Sequence, residues 1–215
     1  MRYDLPGFGA RSGSVEEANS TTLESLAAEA GEIVEAIDGP VIVVGQSFGT
    51  QVAELVGAQH PDRVHGLVLL TPIPLGGTQL PDEAVAPFRA LGGDRAAQRN
   101  VRAELSPNHS EEQLDRLADI GAPVAADVVS HYVNVWNAGM SNTAATSAFS
   151  GPVLIIRGGE DAFVTEQLVN AVSPRFVEAD VKVIDRSGHW VHFEYPGTVA
   201  AMILDFADAI AAVTP

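Results

Sequence analysis

This chain of 215 residues contains no cysteine, so disulfides, thiolate metal sites and a thiol nucleophile are excluded. Cations are scarce: 12 Lys and Arg stand against 28 Asp and Glu, for a formal charge of -16. So acidic a surface repels phosphate backbones and anionic lipid, which argues against nucleic acid or a membrane as partner. No apolar run approaches the roughly 20 residues of a spanning helix. The opening MRYDLPGFGARSG has no apolar core of signal-peptide length, so a cytoplasmic location is expected. Internal repeats and low-complexity tracts are also missing. What is present, a 46% hydrophobic sequence, suffices for one well-covered core.

Five short apolar segments read as strands: Met1–Asp4, Val41–Val44, Val64–Leu70, Val153–Ile156 and Val181–Ile184. The β-branched run Val41–Val44 suits a strand buried on both faces. Helical patterns lie between several of them. Leu23, Leu26, Ala27, Ala30, Ile33, Val34 and Ile37 share one face, and Thr21 with Glu24 predicts a capping box at its start. A second helix runs from Phe48 to about His60, a third follows Thr165 and a fourth follows Pro196. This alternation implies a mainly parallel sheet flanked by helices. From Pro72 to Ser150 the rhythm changes, with short helices predicted near Asp82–Leu91, Asp94–Glu104, Ser110–Asp119 and Pro123–Trp136 between the breaks LGGD, SPNHS and GAP. The expected organisation is a core of residues 1–71 and 151–215 carrying a helical insertion over 72–150.

The stretch VIVVGQSFGTQVAEL, residues 41–55, places Ser47 where a strand pattern gives way to a helical one. A tight strand-to-helix turn forces its central residue into strained geometry and lifts the side chain clear of the sheet. Gly45 and Gly49 are expected to make room for it. The turn also aims the Phe48 N–H and the positive helix end at whatever binds there, which suits an oxyanion. A serine hydroxyl needs a histidine to take its proton and a carboxylate to hold that histidine. RGGEDAFVT places Asp161 beyond one strand, and RSGHWVHFEYP places His189 beyond the next. All three thus follow the C-terminal ends of parallel strands, where open sheets build their sites.

Four motifs in order resemble the α/β-hydrolase fold family: DLPGFG at Asp4–Gly9, GQSFG at Gly45–Gly49, GGED at Gly158–Asp161 and GHWVHFEYP at Gly188–Pro196. G-x-S-x-G alone is only moderately specific; four ordered motifs at strand ends are a strong signal. The resemblance covers nearly the whole length, with the insertion in the place of the family's helical cap. It implies Ser47 as nucleophile, Asp161 as acid, His189 as base, the Phe48 N–H as one oxyanion donor, and no cofactor. Family members carry further strands and a His-Gly loop ahead of the DLPGFG-like motif, the loop supplying a second oxyanion donor. Because this sequence begins at the motif, the resemblance implies an N-terminally truncated form whose nucleophile strand exposes an edge. Three arrangements are then expected: Met1–Asp4 pairs with Val41–Val44, a second copy covers the edge as a homodimer, or further sequence precedes Met1.

Two of the roles have a rival, Glu160 for Asp161 and His192 for His189. His189 and His192 also raise a metal pair, but no H-E-x-x-H pattern or carboxylate cluster accompanies them, so no catalytic metal is expected. His60, His65, His109 and His131 fall outside the motifs. GFGARSG matches a dinucleotide fingerprint only loosely, Ser12 replacing its third glycine, and LGGT and LGGD lack the P-loop lysine. Gln46, Phe88, Trp136, Met140 and Trp190 are candidate substrate contacts, joined by Leu91 and Tyr132, although contacts between cap helices or between cap and core account more readily for Phe88, Leu91, Tyr132, Trp136 and Met140. The expected chemistry is cofactor-free hydrolysis of a small, mainly apolar ester or related acyl compound through an acyl-enzyme. A lactone, a thioester or a carbon-carbon bond would use the same three residues. The alternative is a non-catalytic member of the fold that binds a small ligand or a partner protein.

Overall fold

The structure, a computed structural model, describes residues 1–213. In chain order, α1 (Val15–Ala18) and α2 (Leu23–Glu35) lead into β1 (Val41–Gln46), α3 (Phe48–Gln59) and β2 (Val64–Leu70). Four helices follow without a strand: α4 (Asp82–Arg89), α5 (Arg95–Leu105), α6 (Glu111–Gly121) and α7 (Ala126–Ala138). Then come β3 (Pro152–Gly158), α8 (Glu166–Val172), β4 (Glu178–Ile184), α9 (Val191–Glu194) and α10 (Pro196–Val213). Among the described residues the four strands form one sheet in the order β1-β2-β3-β4, and every neighbouring pair is parallel.

Alternation along the central strands divides the core. Val64, Leu67 and Leu69 of β2, with Val153 and Ile155 of β3, join the cluster that α2 and α3 cover. Val68, Leu70, Leu154 and Ile156 point the other way and pack with Val199, Met202 and Phe206 of α10. Both faces of β2 and β3 are therefore apolar, as a parallel sheet between helical layers requires. Among the described residues, no helix is long and apolar enough to cross a membrane.

Four local expectations are corrected. Met1–Asp4 forms no strand. Instead the Asp4 carboxylate accepts the Ala10 N–H at 2.9 Å and Phe8 N–H bonds the Leu5 carbonyl, so the chain turns directly after this segment, which does not pair with β1. The run Val41–Val44 is not buried on both faces: β1 is the sheet edge and Val44 is 49% exposed. The cap of α2 is Thr22 with Ser25, not Thr21 with Glu24, because Thr21 is buried with its hydroxyl donating to Ala18 O. The last strand is longer than Val181–Ile184 and starts at Glu178, since pairing with β3 from Pro152 onward outweighs the weak propensity of Glu178 and Asp180. Elsewhere caps explain the helix starts: Asp94 accepts the Ala97 N–H, Ser110 forms a capping box with Gln113, and Thr165 accepts the Leu168 N–H.

Candidate active site

The register aligns one rim of the sheet. Gln46 pairs with Leu70, Leu70 with Ile156, and Ile156 with Lys182, so the loops after β1, β3 and β4 leave side by side. Ser47 follows β1 with φ 49° and ψ -119°, a conformation that costs a non-glycine residue free energy and persists only where the surroundings enforce it. The enforcement is visible. Ser47 N–H donates to Leu70 O at 2.9 Å, and Ser47 O accepts from Thr50 N–H at 2.8 Å and the Thr50 hydroxyl at 2.6 Å. A Cβ on Gly45 would overlap the Gly49 carbonyl, so the strand can pass under the helix start only with glycine there. Gly49 differs from its expected role: a Cβ at that position would meet open space.

Asp161 and His189 come together. Asp161 Oδ2 accepts from His189 Nδ1 at 2.8 Å, and Asp161 Oδ1 accepts the Phe163 and Val164 N–H groups at 2.8 and 2.9 Å. The carboxylate is wholly buried and its hydrogen bonds fix its orientation. His189 is held by its backbone as well. Its N–H donates to Leu105 O at 2.9 Å, while its carbonyl accepts from Gln46 Nε2 and Thr71 Oγ1, both at 3.2 Å. A Cβ on Gly158 would overlap the Gly188 carbonyl, so the two loops also touch at their roots. Glu160, by contrast, turns outward to accept from Asn108 Nδ2 at 2.6 Å, and His192 is exposed.

Ser47, Phe48 and His189 line one cavity of about 530 Å³ between the sheet rim and the helices α4 to α7. Ser47 makes no hydrogen bond to the His189 ring among the described residues, although both line the same cavity. Phe48 and Gly49 open α3, and the first N–H groups of a helix have no intrahelical acceptor, so donors face the space beside Ser47. Gln46, Phe88, Trp136 and Trp190 line the cavity, as do Leu91 and Tyr132. Met140 does not. The Gly139 turn ends α7 and delivers the Met140 N–H to Leu75 O at 2.8 Å, where the side chain packs against the core.

Several lining residues were not among the candidate substrate contacts. Tyr3, Leu5 and Phe8 form a wall because the curled N-terminal turn folds over the cavity, with Tyr132 donating to Pro6 O at 3.0 Å. Burial raises the Tyr132 phenol to about 12, so it remains the neutral donor. Phe163 packs edge-on against His189 at 6.0 Å, and Trp190 does so at 5.0 Å. Arg102 lines the cavity too. In a helix that also carries Arg95 and Arg99, nothing in the sequence separates it from a surface arginine. Of the other histidines, His60 pairs with Glu35 at 2.8 Å and His131 with Thr21 O at 2.8 Å. No group of three or more potential metal ligands occurs among the described residues.

Comparison with known proteins agrees with this architecture. The sequence model of the alpha/beta hydrolase family matches residues 1–202. Lipase LipV of Mycobacterium tuberculosis is 30% identical over 208 residues, covering 87% of this chain and 74% of that protein. The sn-1-specific diacylglycerol lipase of Mus musculus is 26% identical over 217 residues, covering 90% of this chain; this chain spans 63% of that protein's length. An esterase structure from Exiguobacterium antarcticum superposes with a TM-score of 0.77 at 14% identity, covering 87% of this chain and 74% of that one, a likeness of fold.

Proposed function

The chain belongs to the alpha/beta hydrolase family, and from that premise we propose that it is an esterase-like serine hydrolase of small acyl substrates, with Ser47, His189 and Asp161 as its triad. In this reading His189 Nε2 takes the Ser47 proton as Oγ attacks the acyl carbon, and the Phe48 N–H receives the developing oxyanion. Asp161 holds the imidazole in the tautomer that leaves Nε2 free and then stabilises the imidazolium. The imidazolium returns the proton to the leaving alcohol, and water, activated by the same ring, releases the acid. Residues 72–150 act as the cap, closing the acyl site from above.

The observation that carries the reading is the buried 2.8 Å bond between His189 Nδ1 and Asp161 Oδ2, made on the wall of the cavity that the strained Ser47 turn enters. Catalytic hydrogen bonds are often loose without substrate, so the reading does not require a Ser47–His189 bond in the free protein. Phe48 is the one oxyanion donor assigned. One such donor is worth about 100- to 1000-fold in turnover, which sets the scale of the contribution expected from the Phe48 N–H. The relatives described above are named as lipases and an esterase, which favours an ester as the acyl compound.

The test compares the protein with its Ser47→Ala variant on short-chain nitrophenyl esters, with fluorophosphonate labelling alongside. Label on Ser47 and hydrolysis lost in the variant are expected; equal rates and no label would remove the enzyme reading. The absent Ser47–His189 hydrogen bond favours the competing one, a ligand-binding member of the fold without catalysis. That reading predicts the second result.

A further inference from the structure

Helix α5 carries three arginines, and their surroundings differ. Arg95 bonds Asp119 at 2.5 Å and Asp115 at 3.1 Å, and Arg99 bonds Asp115 at 3.2 Å and also Glu111. Arg102, a turn further on, has no carboxylate. Its Nη1 donates to the backbone and side-chain oxygens of Gln98, and its Nε is shut off from solvent with no acceptor. Burial with no acid nearby pushes its pKa down to about 10, which still leaves a cation at neutral pH.

In a protein with 28 acidic residues against 12 basic ones, a cation left without an acid inside a cavity runs against the composition. The cavity is the one that Ser47 and His189 line. Arg102 is the only Lys or Arg among its described lining residues; their only carboxylate, Asp4, is engaged by the Ala10 N–H. The guanidinium carbon lies 5.3 Å from the Trp190 ring, and that ring lies 5.0 Å from the His189 imidazole, so the cation stands one indole away from the base. A half-buried guanidinium with donors to spare is matched by a carboxylate, whose two oxygens fit its fork and whose charge replaces lost hydration.

We propose that Arg102 recognises the substrate: the acyl compound hydrolysed at Ser47 bears a carboxylate distal to the scissile bond, and Arg102 pairs with it under the cap. The proposal rests on the Ser47–His189 reading for its reaction but not for its binding. An uncharged substrate of equal length would leave the cation unmatched, so the selectivity comes partly from that penalty.

The experiment measures kcat/KM for monomethyl adipate and for methyl hexanoate by pH-stat, in the protein and in Arg102→Gln and Arg102→Lys. The expected result is a preference for the anionic ester of about ten-fold or more, lowered at least ten-fold by Arg102→Gln and partly kept by Arg102→Lys, as a charge-assisted bond implies. A structural role would depress both esters alike and leave the ratio unmoved, which overturns the proposal; so does a wild-type protein that favours neither ester. Binding to Ser47→Ala, measured by calorimetry, separates this from the hydrolase reading. If monomethyl adipate binds there and loses affinity when Arg102→Gln is added, carboxylate recognition stands even where no ester is turned over. If it does not bind, or binds regardless of residue 102, the proposal fails.

Discussion

Asp161 Oδ2 sits 2.8 Å from His189 Nδ1, although 27 residues and a strand separate the two in the chain. The other oxygen of that carboxylate is held by two backbone N–H groups, so the acid cannot turn away without losing both. Replacing Asp161 by Asn keeps the shape but presents an amide that can favour the wrong imidazole tautomer. Ester turnover is therefore expected to fall by about 10,000-fold in Asp161→Asn, with the melting temperature changed far less. Steady-state rates beside a thermal melt check it. A variant retaining a tenth of the activity would show that His189 needs no such partner.

The two glycines flanking Ser47 have unlike surroundings. Gly45→Ala would drive a methyl group into the Gly49 carbonyl, breaking the turn. The expected outcome is a poorly folded protein or one that no longer takes fluorophosphonate label. Gly49→Ala has open space and lies in the first turn of α3, where alanine is favoured over glycine by up to about 1 kcal/mol. Its melting temperature should hold or rise. Urea denaturation of the two variants side by side distinguishes them.

Glu54 of α3 and Arg175 form a buried ion pair at 2.7 Å, with side chains 6% and 13% exposed. Arg175 also reaches Ala144 O at 2.5 Å, tying the pair to the segment before β3. Removing one partner strands the other charge, so Glu54→Ala is expected to destabilise by about 3 to 5 kcal/mol. Glu54→Leu combined with Arg175→Met should recover most of the loss. Chemical denaturation of the single and double variants measures the difference.

His109 is buried against Trp190 and Phe193, and neither of its ring nitrogens has a hydrogen bond; Glu194 is 3.9 Å away. Burial lowers its pKa from the ordinary 6.5; Glu194 opposes that shift and the nearby Arg102 adds to it. The folded protein thus resists a proton that the unfolded chain accepts, and stability is complete above 6.5 and lost as pH falls from there through the lowered folded value. His109→Phe removes the titration and should flatten this slope. Melting temperatures between about pH 7.5 and 5 test it; parallel slopes in the two proteins would assign the acid sensitivity elsewhere.

Much of the arrangement is legible in the sequence because it rests on local patterns. The apolar runs at Val64–Leu70 and Val153–Ile156 stand as strands, packed on both faces and central in the sheet. Ser110 and Thr165 announce helix starts because a hydroxyl can satisfy the first N–H groups in place. The Met1–Asp4 segment misleads for a related reason: a strand exists only when a neighbour accepts its hydrogen bonds, and here the Asp4 carboxylate and a tight turn take the backbone elsewhere.

The sequence by itself marked most of the elements, their order and the places of Ser47, Asp161 and His189 after β1, β3 and β4, since propensity, capping and motif spacing act over a few residues. Tertiary structure decided the rest. Only packing brings the Asp161 carboxylate to 2.8 Å from His189 Nδ1, turns Met140 against the core instead of the cavity, and leaves Arg102 without an acid while Arg95 and Arg99 have theirs. Each of these turns on which group, distant in the chain, occupies the remaining space around a side chain, and no local pattern carries that.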